Sequence, residues 1–249
     1  MKIYVVTHKE FDKPRLPDIY STMQVGASIN KKIENMDYYD NTQDNISDKN
    51  LVYNEMTAAY WIWKNSKEDI VGLCHYRRYF VHLNGLIDRF IRNKIRGFIG
   101  EKWIRKKLKK YDAIVHVITY FPNGTNLKQT SACVKNGKDI ELVREVLSDL
   151  YPDYIKAFDE VMNSKSAHLF NMIITKKENY DLYCEWIFGV LFEVEKRMID
   201  AGETNFSRRM GMLAERLQDV WLKKNNMKLK QCFVTHTELK TFEFYAKIK

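Results

Sequence analysis

Residues 69–80, DIVGLCHYRRYF, run from a five-residue apolar stretch, Ile70 to Cys74, straight into His75, Tyr76, Arg77 and Arg78. A short, continuous apolar run of this kind predicts a strand covered on both faces. In an open α/β sheet, ligands gather beyond the carboxyl ends of such strands, at the switch in strand order. One further extended step would put His75 and Arg77 on one face and Tyr76 and Arg78 on the other. Buried guanidiniums are too costly without a counter-charge, so an acidic partner is expected. Either a carboxylate of the chain, with Glu55, Asp40, Asp44 or Glu215 as candidates, or a bound phosphate or diphosphate meets that need.

Outward from this segment the pattern alternates. KIYVVTH (2–8) reads as a buried strand, FDKPRLP as a loop, and MQVGAS (23–28) as a short second strand. DNTQDNISDKN (40–50) is dense in Asn, Asp and Ser, a loop whose Ser47 or Asp48 starts a helix. That helix, 49–65, sets Leu51, Glu55, Ala58 and Ile62 on one face, so Glu55 lies in an apolar stripe. Downstream, YDAIVHVITYF (111–121) and HLFNMIIT (168–175) read as strands, 139–163 as two helices broken at Pro152, and Tyr180–Ala201 as a helix. MGMLAERLQDVWLKKNN (210–226) is helical with Leu213, Leu217, Val220 and Trp221 at core spacing, and LKQCFVTH closes as a strand. The expected fold is one α/β domain over 1–249: a mixed, mainly parallel, Rossmann-like sheet flanked by helices, with a basic helical insertion.

The opening apolar run is too short for a signal peptide, and nothing approaches a membrane span, so a cytoplasmic place is expected. Cys74, Cys133, Cys184 and Cys232 form no CxxC pair, which argues against zinc and disulfide frameworks and for packed, reduced thiols. The net charge of +9 is local: residues 88–110 hold ten Lys or Arg against Asp88 and Glu101, a net +8. Ile87, Ile91, Ile95 and Phe98, then Trp103, Ile104 and Leu108, repeat there at helical spacing. Two readings stay open for this segment (about 86–110): a helix pair on an anionic membrane surface, or one whose apolar stripe packs on the core.

TQDNISDKN, NEMTAAYWIWKN, GLCHYRRYF and GMLAERL occur in that order. Together they resemble the bacterial family catalogued as domain of unknown function 4422, found in capsule, exopolysaccharide and O-antigen gene clusters. The resemblance implies a GT-A-like glycosyltransferase that uses a nucleotide diphosphate donor. UDP-galactofuranose or another UDP-hexose would be that donor, and a growing, lipid-linked glycan at the inner face of the cytoplasmic membrane the acceptor. Enzymes of that fold commonly hold Mn²⁺ or Mg²⁺ on Asp-X-Asp, whereas VGLCHYRRYF has no carboxylate. Fixed cations in place of a metal are therefore expected: Arg77 and Arg78, with His75 donating or protonated. Asp40 and Asp44 are the fallback ligands if a metal is needed, and Asx turns explain them equally well.

The same resemblance places the nucleotide at Val5, Thr7 and His8, at the end of the first strand, although a hydrogen-bonded loop role explains His8 equally well; Gln24, Gly26 and Ala27, at the second strand end, are further candidates for that pocket. Asn45 and Lys49 flank a helix start whose free N–H groups favour an anion, although capping explains Asn45 equally well, and Glu55 is the candidate for orienting an arginine. Glu215 is the candidate base for the acceptor hydroxyl. His168, Asn171 and Arg216 are candidates for touching acceptor or donor sugar. Two other classes remain open: a nucleic-acid binder using the basic stretch with Phe90, Phe98 and Trp103, which lacks a recognised module, and a non-catalytic nucleotide or phosphosugar module.

Overall fold

The computed structural model describes residues 1–92, 94–122, 124–128 and 137–238. Cys133, Asn93 and Phe90's side chain lie outside the described set. The first half contains β1 (Lys2–Thr7), β2 (Tyr20–Gln24), β3 (Tyr38–Tyr39), α1 (Asn50–Tyr53), α2 (Met56–Asn65), β4 (Ile70–His75), β5 (Arg78–Val81), α3 (Leu83–Arg92), α4 (Glu101–Leu108), β6 (Ala113–His116) and β7 (Thr119–Tyr120). The second contains α5 (Lys138–Leu150), α6 (Ile155–Asn163), β8 (Ser166–Ala167), β9 (Ile173–Lys176), α7 (Lys177–Asp200), α8 (Arg209–Lys224) and β10 (Leu229–His236).

The architecture is mixed α/β, and the expectation of a mainly parallel sheet is corrected. Strands β3-β2-β1-β4 run parallel, as do β6 and β10, but β5 and β9 run against their neighbours, so half of the main sheet's pairings are antiparallel. Strand β4 is shared. Its Ile70–Leu73 pair with β9, while its last residue, His75, pairs with Arg78 of β5, so that β4-β9-β6-β10-β5 close into a ring. The reason lies at Tyr76 and Arg77, which turn the chain back as a two-residue hairpin. His75 and Arg78 are thereby cross-strand partners on one face, contrary to the extended-strand reading that paired His75 with Arg77.

One apolar core packs α2, α5, α6, α7 and α8 on the sheet, with Leu213, Leu217, Val220 and Trp221 buried as their spacing predicts. A second, smaller core on the other face holds Ile3, Val5, Cys74, Ile114 and Val234 under Ile104 and Leu108 of α4. Cys74, Cys184 and Cys232 are free and buried, and burial pushes the Cys232 thiol up to about 12. The helix expected over 49–65 is interrupted at Asn54 (φ 49°), between α1 and α2. The strand expected over 168–175 survives only as Ile173–Lys176 of β9. Among the described residues no helix is long and apolar enough to cross a membrane.

Candidate active site

The hairpin sends its two arginines different ways. Arg77 turns outward to Glu238 (3.4 Å), an acid that also pairs with Lys9 (3.2 Å). Arg78 points into the sheet end. Its Cζ stands 4.3 Å from the centre of the Phe170 ring, its Nε is buried with no hydrogen-bond partner, and no ion pair holds it among the described residues. Burial, and then the neighbouring charge of Arg77, push the Arg78 guanidinium down to about 10, while the fields of Glu215 and Glu55 oppose that shift without a contact. A half-buried cation whose Nε is wholly enclosed and unbonded is costly unless an anion completes the site.

The residues that organise this pocket come from a turn the sequence disguises. Phe170 (φ 80°) and Asn171 (φ 52°) both adopt left-handed backbone. Bulky residues avoid that region at a cost of about 1–3 kcal/mol each, and the conformation persists only where the surroundings enforce it. Here they do. The Phe170 carbonyl accepts from His75 Nε2 (2.7 Å), and its N–H donates to Glu215 Oε1. Asn171 Nδ2 donates to Glu55 Oε1 (2.7 Å) and to the Gly211 carbonyl (3.0 Å). Gly211 is required there, because a Cβ would lie 2.8 Å from Asn54 Nδ2 and 3.0 Å from the Tyr53 carbonyl. One two-residue turn thus fixes His75, Glu215 and Glu55 around Arg78.

The surroundings of His75 draw it toward its neutral form. Burial first, and Arg78 next, push its imidazole down to about 4, and its Nε2–H is engaged by Phe170. Of the two expected states, donating or protonated, the surroundings favour the neutral, donating ring. Burial raises the Glu55 carboxyl above its ordinary range, against its Asn171 bond and the fields of Arg78 and Arg208.

The remaining cations surround the mouth. Arg208 is exposed at the start of α8 with φ 63°, and its N–H donates to the Leu51 carbonyl (2.7 Å). Its charge reaches both His8 and Glu55. His8 stands at the rim, its ring edge-on to Tyr76 at 5.7 Å. Burial, then Lys9, Arg77 and Arg208, lower its pKa. His236, at the end of β10, is pushed to about 4 by burial and then by Arg78 and Arg77. Neither Arg208 nor Phe170 is marked by sequence pattern. The only local hint is the SRRMG start of α8, whose second arginine, Arg209, is buried on Asp139.

Beyond Phe170 lie two further histidines. His116 is fully buried with neither ring nitrogen bonded, its ring edge-on to Phe170 at 5.2 Å. Burial, then His168 and Arg78, push it to about 3. His168 is oriented by Asp219, whose carboxylate accepts from its N–H (2.8 Å) and from Nδ1 (2.7 Å), leaving Nε2 unbonded. His168 and Asp219 line a cavity of about 450 Å³ with Ser164, Ser166, Lys223 and Asn226. Arg216 is buried, donating to Glu215 Oε2 (3.1 Å), with its Cζ 5.8 Å from the Phe121 ring centre.

Several expected contacts are engaged elsewhere. Val5 is wholly buried in the smaller core, two residues short of the strand end. The Thr7 hydroxyl donates to the Lys9 carbonyl (2.5 Å). Gln24 uses both ends of its amide on Lys31 and Ile33. Gly26 and Ala27 donate their N–H groups to Asp40 (2.8 and 3.0 Å), as do the hydroxyls of Ser47 (2.5 Å) and Thr57 (2.6 Å). Asn45 caps locally onto Ser47, and Lys49 pairs with Glu195 (2.8 Å). Asp40 is therefore the hub of a buried loop, and a metal ion there would have to displace four donors. Asp44 receives the Tyr60 hydroxyl (3.1 Å) at the surface. No group of three or more His, Cys, Asp or Glu among the described residues is arranged to hold a metal.

These shifts set a pH dependence of stability. Three histidines, His75, His116 and His236, have folded pKa values near 4, 3 and 4, below the ordinary 6.5. Between pH 6.5 and 4 the unfolded chain therefore binds more protons than the folded one. Stability is lost as pH falls through that window, by about 1.4 kcal/mol per pH unit per proton. Glu55 has the opposite sign and offsets only one of the three. Calorimetric Tm should drop steeply from pH 6.5 to 4.5, and His116→Phe should flatten that slope while raising Tm at pH 5. An unchanged slope would show that His116 titrates normally.

Residues 2–226 match the family described as "Domain of unknown function (DUF4422)", and the chain belongs to that family. No curated protein sequence matches it. Among solved structures it is similar to one described as the apo structure of the WbbM bifunctional glycosyltransferase, with TM-score 0.79 and 24% identity over 96% of this chain. The chain spans 45% of that protein's length, and the likeness establishes a shared fold.

Proposed function

We propose that this protein transfers a hexosyl group from a UDP-sugar to a hydroxyl of a growing bacterial surface polysaccharide, as a metal-independent glycosyltransferase. Arg78 carries the reading: a half-buried guanidinium, its Nε buried and unbonded, without an ion pair among the described residues, at the carboxyl end of the central strands. Galactofuranose is among the sugars this reading includes, and the acceptor is a lipid-linked glycan of capsule, exopolysaccharide or O-antigen type at the inner face of the membrane. The fold shared with a bifunctional glycosyltransferase supports it.

As the acceptor hydroxyl bonds to the anomeric carbon, the bond from that carbon to the diphosphate oxygen breaks and negative charge gathers on the departing diphosphate. Arg78 meets that charge, with Arg77 and Arg208 at the mouth. Each preorganised donor of this kind is worth about 3–4 kcal/mol in the transition state. Glu215, held through Oε1 by Phe170 and through Oε2 by Arg216, takes the hydroxyl proton. The cavity beside His168, lined by Ser164, Ser166 and Asn226 together with Val161, Leu222 and Met227, is where the acceptor glycan lies.

Thermal shift with UDP, GDP and dTDP, in EDTA and in Mn²⁺, tests this. At about one hundred times Kd a ligand adds about 2.7 kcal/mol, a Tm rise of about 5–10 °C for a chain of this size. UDP should give that rise in EDTA. A rise seen only with Mn²⁺ would return a metal to the site, and no rise with any of the three would overturn the donor assignment.

A further inference from the structure

Helix α3 is built inside out. Leu83, Ile87 and Ile91, spaced by four, are 56%, 46% and 72% exposed, while Asp88 and Arg89 are turned inward, 8% and 7% exposed. A helix resting on a globular core does the reverse. On the inward side, beside the half-buried Leu86, the charged groups are bonded. Arg89 donates from Nε to the His236 carbonyl and from Nη2 to the Thr237 carbonyl, both at 3.1 Å, and Asp88 pairs with Arg92 (2.7 Å) and Arg96 (2.5 Å). The contact is close, since Gly97 (φ 76°) packs on Gly85 and a Cβ on Gly85 would fall 2.4 Å from the Arg96 carbonyl. The next helix behaves conventionally. In α4, Ile104 and Leu108 are buried in the smaller core, so only the first half of the basic amphipathic segment leaves its aliphatic side chains uncovered.

We propose that α3 is an in-plane anchor that seats this protein on an anionic lipid bilayer. Leu83, Ile87 and Ile91 enter the acyl boundary, and the exposed Lys94 lies among lipid phosphates, with Arg92 and Arg96, held by Asp88, at its border. The charge decides the occupant. Residues 88–110 carry a net +8, so a second copy laid symmetrically on this face would bring two such segments together, and like charge opposes that. An anionic surface meets both the apolar stripe and its basic border.

The anchor is also coupled to the cationic site. Arg89 grips residues 236 and 237, and the Thr237 N–H donates to the Arg77 carbonyl (3.0 Å), so docking would fix the height of the site mouth above the lipid. That consequence, though not the docking itself, rests on the proposed transfer to a lipid-linked acceptor.

Co-sedimentation of the full chain with vesicles of phosphatidylcholine alone, or with about one third phosphatidylglycerol, tests the proposal, using wild type and the double variant I87S/I91S. Wild type should partition onto the anionic vesicles at least about tenfold more strongly than onto neutral ones, and the variant should lose about tenfold or more. Equal binding to the two vesicle types, or by the two proteins, would overturn it. So would light scattering showing a wild-type dimer that the variant dissociates, which would assign the face to a second copy. The UDP thermal shift on the same samples reads donor binding separately, so failure of docking and failure of the transfer reading are distinguishable.

Discussion

Arg78→Lys is expected to slow sugar transfer by about 10²–10³-fold, the loss of one preorganised donor in the transition state. Lysine keeps the charge but not the planar fork that grips two phosphate oxygens, and it forfeits the stack on Phe170. Arg77→Lys should cost less than about tenfold, because Arg77 is half-exposed and already shared with Glu238. Stability separates this role from an internal ion pair. Removing one partner of a buried pair costs about 3–5 kcal/mol, whereas removing an uncompensated buried cation is neutral or stabilising. Arg78→Met should therefore abolish transfer and the UDP thermal shift while leaving Tm within about 2 °C of wild type, or above it. A Tm fall of 10 °C or more would mean that Glu55 and Glu215 are Arg78's true partners, and that the site holds no anion.

The strand that begins this cluster is legible in IVGLC, and the late helix in the spacing of Leu213, Leu217 and Trp221. The hairpin after the strand is not. Two-residue turns are usually announced by Asn-Gly or Asp-Gly at left-handed positions, but Tyr76 and Arg77 are absent from the residues with positive φ and carry no turn signal. The extended reading therefore sets His75 and Arg78 on opposite faces, whereas the hairpin sets them on one, since a one-residue change of path flips a side chain to the other face. In HLFNM the apolar letters hide two left-handed residues, and only Asn171 is of a type that visits that region readily. With that turn unseen, Glu215 had no visible link to His75 or Phe170. Helix α3 shows the limit from the other side: its period was plain, but a period does not say whether the apolar face looks in or out.

Glu215→Gln should lower kcat by about 10²–10⁴-fold, the range for a positioned general base, and leave the UDP thermal shift near that of wild type. The glutamine carbonyl can still accept the Phe170 N–H, so the left-handed turn and Arg78 beneath it stay in place. Only the proton acceptor and the charge beside Arg216 are lost. Glu215→Ala adds a second effect. It also removes the acceptor of the Phe170 N–H, which costs about 1–3 kcal/mol when buried, so Tm should fall further in the alanine variant than in the glutamine one. A combined loss of kcat and UDP binding in Glu215→Gln would recast Glu215 as a support for the turn. Transfer near the wild-type rate would move the base to another group.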